Sequence, residues 1–126
     1  MKNIIVNELD GLLVGFESAI GYGIAFWAGK KPLSNPYKEI ELDIDDHFEW
    51  EKDIYLINEN EGSIKIRDNR LIFIAKIISY TDDGILIVSL DDDILFIEVS
   101  SVGDDIEGYV SFSTTPDKVT LYPVEL

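Results

Sequence analysis

The chain has no cysteine, one histidine and one methionine in 126 residues. Without thiols there is neither a disulfide nor a thiolate metal centre, so the core must hold by packing alone. A lone imidazole cannot supply a multi-histidine zinc site, and carboxylates would have to complete the ligand set. Basic residues are also scarce: ten Lys and Arg stand against twenty-five Asp and Glu, for a net charge of −15. Affinity for nucleic acid rests largely on Lys and Arg at phosphates, so this balance argues against a nucleic-acid partner. It favours a basic protein partner or cations, or serves only solubility. The glycines lack the GxGxxG spacing and the Lys-Ser/Thr ending of a phosphate-cradling loop. No convincing amphipathic helix is present, although a short one could fit Phe16–Ala25 or Asp45–Asp53.

What is present is a succession of strand signals. The length suits one domain, residues 1–126, and a chain of this size buries roughly two-thirds of its unfolded surface. Short apolar runs at Asn3–Val6, Leu12–Phe16, Ile24–Ala28, Ile40–Ile44 and Ile54–Ile57 are separated by turn residues. Asp10-Gly11 and Asp83-Gly84 are tight-turn pairs, because glycine accepts positive φ. Lys30–Pro36, KKPLSNP, carries two prolines and is the clearest loop. Ile64 and Ile66 alternate with Lys65 and Arg67. Leu71–Tyr80 is apolar on both faces and is expected to be a central strand. Ile85–Leu90, Ile94–Val99, Tyr109–Ser113 and Val119–Tyr122 complete the series. The expectation is an all-β or β-dominant fold: a small barrel or sandwich of about ten short antiparallel strands, with a meander in the second half. A small barrel of the oligonucleotide/oligosaccharide-binding type is one option.

Gly11–Gly29 is apolar enough to approach the length of a membrane span, and Lys30-Lys31 follows it as a cytoplasmic flank would. Glu17 near its centre and its five glycines favour a pair of buried strands instead. No secretory leader is expected, since Lys2 is the sole early base and Ile4-Ile5-Val6 is a short apolar run. The expected compartment is the cytoplasm, with no membrane association.

Candidate chemistry is thin. His47, in Asp-Asp-His-Phe-Glu-Trp, could act as a base oriented by Asp45 or Asp46, but no Ser or Thr sits in a recognisable nucleophile motif. Glu17 would be a candidate acid only if buried. Gly103–Gly108 offers calcium-type oxygens without the spacing of a calcium loop. Trp27, Trp50, Tyr22, Tyr37, Tyr55 and Tyr109 could form a sugar-stacking platform or serve as core. The expectation is therefore no catalytic residue, no metal and no cofactor. The candidate partner-binding residues are Asp45, Asp46, Phe48, Glu49, Trp50 and Glu51, an aromatic pair in an acidic rim, together with Asp91, Asp92 and Asp93. Alternation could instead turn both aromatics into the core and leave only the acids outside. The aspartate triplet reads first as a hairpin turn and second as an acidic contact face.

The stretches EIELDIDDHFEWEKDI (Glu39–Ile54) and GYVSFSTTPDKVTLYPVEL (Gly108–Leu126) resemble those of small, acidic, mostly β bacterial proteins. Some of these belong with the immunity proteins of contact-dependent and other polymorphic toxin systems. The resemblance implies a cytosolic protein that blocks a cognate toxin, often a basic nuclease, and it carries over no binding residues. The alternative expectation is a small-ligand or carbohydrate-binding β-domain.

Overall fold

A computed structural model describes residues 1–30 and 35–124. Most of the expected Lys30–Pro36 loop, and the last two residues of the Gly108–Leu126 stretch, lie outside the described residues. The described chain is all-β apart from one short 3₁₀ turn, Pro116–Lys118. Its strands are β1 (Lys2–Glu8), β2 (Leu13–Ser18), β3 (Gly21–Trp27), β4 (Tyr37–Ile44), β5 (His47–Glu49) and β6 (Ile54–Ile57). They continue with β7 (Ser63–Arg67), β8 (Arg70–Tyr80), β9 (Ile85–Leu90), β10 (Asp93–Ser100), β11 (Tyr109–Thr114) and β12 (Val119–Pro123). Neither short helix considered from the sequence forms: Phe16–Ala25 is a hairpin turning at Ala19-Ile20, and Asp45–Asp53 is β5 and a turn.

The architecture is a barrel rather than a sandwich. β1 pairs with β2, β2 with β3, β3 with β12, β12 with β4 and β4 with β1, which closes a five-stranded circuit. β12 runs parallel to β3, and β10 parallel to β5, so pairing is not antiparallel throughout. The second half is the expected meander, β7-β8-β9-β10, to which β11 adds along the opposite edge of β8. β6 pairs with β11, and a turn over Glu49–Asp53 returns β6 to β5, so this half also rolls back on itself.

The far edge of β3 is where the two halves meet. Its C-terminal end takes β12, and at its N-terminal end Gly21 takes Ile64 of β7. A Cβ at Gly21 would stand 1.8 Å from the Ile64 carbonyl oxygen, and φ there is +142°, so only glycine allows this junction. Gly23 serves the core in the same way, because a Cβ would meet the ring of fully buried Phe16.

Turn chemistry accounts for the hairpins. Asp68 and Asn69 both take positive φ (51° and 61°), the backbone that a two-residue hairpin loop requires. One contiguous core runs through both halves, with Phe73 stacked on Phe112 at 5.3 Å and Phe48 edge-on to Phe112 at 5.2 Å. β8 is central, paired along both edges, yet its outer face is incompletely covered: Ile78 is 51% exposed.

Candidate functional site

The acid-and-aromatic segment Asp45–Glu51 separates into two roles. Phe48 is 1% exposed and belongs to the core, so it is no surface anchor. The cause is phase: with acids at Glu49 and Glu51, the apolar positions of this segment are drawn inward. Trp50 is half-buried and packs against the same core. Asp46 is engaged twice. One carboxylate oxygen accepts the His47 backbone N–H at 2.8 Å, and the other accepts the hydroxyl of fully buried Thr114 at 2.6 Å. It therefore fixes the β4–β5 corner. Asp45, Glu49 and Glu51 are exposed, and Glu49 lies 3.5 Å from Lys52.

The aspartate triplet also divides. Asp91 and Asp92 form the β9–β10 turn, with Asp91 at φ 57°, and Asp93 is the first residue of β10, opposite Leu90. Asp92 reaches Lys2 at 3.4 Å, while the Asp93 carboxylate accepts the Met1 ammonium. Of the three, Asp91 alone has no cation paired with it among the described residues.

Beside this turn lies a groove of about 590 Å³ between β4, β10 and β12. Its walls carry Glu39, Glu41 and Asp43 from β4, with Asp92 and Asp93 at one end. Its apolar floor includes Phe96, 63% exposed, Ile94, 48% exposed, and Tyr122, 44% exposed. Among the described residues no Lys or Arg lines it. Sequence reasoning placed Asp92 and Asp93 here but missed Phe96, Ile94, Tyr122 and the β4 acids. The available signal was that Ile94–Val99 is apolar in both phases of a strand. Leu95, Ile97 and Val99 fill the core phase, which leaves Ile94 and Phe96 outside.

The groove also follows an open strand edge. β5 pairs with β10 only over Glu98–Ser100, and β4 passes close to β10 without pairing to it. Among the described residues, Asp93–Ile97 has a strand partner on its β9 side alone. The Trp50 N–H bonds the Ser100 carbonyl and the Val99 N–H bonds the Gly84 carbonyl, so even-numbered residues of β10 direct their backbone groups toward β5. By the period of two, the N–H and C=O of Ile94 and Phe96 face the groove.

His47 lies on another face. Its Nε2 is 3.3 Å from the Ser100 hydroxyl, and its Nδ1 is 3.7 Å from the Glu98 carboxylate, which reproduces the order of a serine triad. These three are cross-strand neighbours on the solvent side of β5 and β10, with His47 and Glu98 59% and 68% exposed. His47 also lines the adjacent cleft, with Asp46, Lys52, Tyr55 and Arg70, whereas Ser100 and Glu98 do not.

Glu17 is exposed on β2, not buried. Asp104 and Asp105 are exposed, and among the described residues no group of three or more His, Asp or Glu is arranged to hold a metal. The candidate stacking aromatics are dispersed: Trp27 is buried against Tyr37 at 5.0 Å, while Tyr55 and Tyr109 line separate clefts. Among the described residues no helix is long and apolar enough to cross a membrane, and Gly11–Gly29 forms β2 and β3. Comparison with protein-family models, with curated proteins and with solved structures finds no match.

Proposed function

We propose that this chain is a non-catalytic binding protein whose groove between β4, β10 and β12 engages a basic protein, and that it acts as an immunity-type inhibitor of a basic toxin. The observation that carries the reading is the lining: exposed Phe96 and Ile94 flanked by carboxylates, with no Lys or Arg among the described lining residues and Lys2 only at the Asp92 end. A desolvated aromatic anchor inside a charged rim is the usual form of an interface hot spot. The field of a −15 chain accelerates encounter with a basic partner and repels acidic ones. The resemblance to small acidic immunity proteins supports the same reading.

The test is capture of basic proteins on immobilised chain at low salt, with wild type beside Glu41→Lys/Asp43→Lys. A partner retained by wild type, released by salt and lost on charge reversal is the expected result. A partner held equally by the reversed variant, or none captured at all, overturns the reading.

A further inference from the structure

We infer that the partner enters the groove as an extended segment that adds a strand to the open edge of β10, pairing with the backbone of Ile94 and Phe96; this rests on the groove reading above. Three observations combine. The Asp93–Ile97 edge has no strand partner on the groove side among the described residues. Ile94 and Phe96 direct their backbone hydrogen-bonding groups to that edge and their side chains to the exposed outer face beside it. Along the groove, Glu41 and Asp43 project from the outer phase of β4, two residues apart, as basic side chains on one face of a neighbouring strand would meet them. Backbone pairing supplies affinity in strand addition, and alternate side chains supply specificity. The segment that fits therefore alternates Lys or Arg with apolar residues: bases outward toward Glu41 and Asp43, apolar side chains inward toward Leu42 and Leu95. A second copy of this chain is disfavoured as occupant, because two −15 surfaces would have to meet at their acidic grooves.

A short synthetic peptide of alternating lysine and valine serves as the probe, with two analogues N-methylated at every lysine or at every valine. At low salt the peptide should bind and slow amide hydrogen exchange at Ile94 and Phe96. At least one analogue, identical in charge but stripped of one phase of N–H groups, should bind about tenfold more weakly or worse. Binding without protection at these amides, with both analogues equal to the parent, overturns strand addition and leaves the groove reading intact. Failure of the peptide to bind also overturns it, and the groove reading then stands or falls on the capture experiment alone. Protection that rises with protein concentration in the absence of peptide at low salt makes the occupant a second copy and overturns the assignment of a basic partner.

Discussion

β5 and β10 lie side by side, in parallel, and differ in what their outer faces carry. In β5 the single apolar residue points inward, and Phe48 is 1% exposed. In β10 the inward phase is already filled by Leu95, Ile97 and Val99, and Phe96 is left 63% exposed. The aromatic that looked like an anchor in the sequence is core, and one the sequence did not single out is at the surface. Apolar residues in one phase describe an ordinary half-buried strand. Apolar residues in both phases describe a strand with a surplus face, which either a second layer or a partner must cover.

Truncation of the two rings separates the roles most sharply. Phe48→Ala should cost about 3–5 kcal/mol of stability by denaturant unfolding, because it opens a cavity against Phe112. Phe96→Ala should change stability by no more than about 0.5 kcal/mol, yet weaken partner binding by about 2 kcal/mol or more. Equal destabilisation by both would collapse the distinction. At the corner that sets β5 beside β10, Thr114→Val removes the hydroxyl donor from Asp46 and should cost about 1–3 kcal/mol. Glu41→Lys/Asp43→Lys tests the groove rim: stability should shift by no more than about 0.5 kcal/mol, while the salt dependence of binding should flatten.

The smallest effect concerns the turn before β12. The Thr115 hydroxyl above all holds the Asp117 carboxyl below its usual value, against an opposing desolvation and with smaller help from the backbone and Lys118. A depressed folded-state value adds stability above the unfolded value that is lost as pH falls through the folded one. Asp117→Asn should therefore lower the melting temperature slightly at neutral pH and not at strongly acidic pH. Asp117 is fully exposed, so the difference should be close to the limit of measurement.

Much of the fold was legible in local chemistry. Ile54–Ile57 and Ile85–Leu90 are strands with the expected bounds, and the turns at Asp68-Asn69 and Gly84 use the positive φ that their residues tolerate. Closure was not legible. The Gly21–Ile64 junction and the parallel pairs β3–β12 and β5–β10 join residues far apart in sequence, and no local period encodes them. The groove was half visible for the same reason. Asp92 and Asp93 announced themselves as a cluster, but Glu41, Phe96 and Tyr122 come from three strands that only the tertiary fold brings together. Phe48 follows the second of the two expectations for this segment: with Glu49 and Glu51 turned to water, alternation puts it in the core and not at an interface. Asp46, expected at an interface, is instead held by Thr114 from a strand 68 residues away.

One edge on this molecule is plugged. The Asn35 side-chain amide accepts the Val6 N–H at 2.8 Å and donates to the Val6 carbonyl at 2.7 Å, imitating a strand neighbour on β1. Nothing comparable closes β10 among the described residues, and a bare edge is ordinarily an invitation to aggregate. Here electrostatic self-repulsion is the guard, and that guard is set by the solvent. The ionic strength expected to release the proposed basic partner also shortens the reach of like charges, to about 3 Å in molar salt. Colloidal stability and partner release are thus coupled through one variable, and concentrated stocks should keep best in dilute buffer.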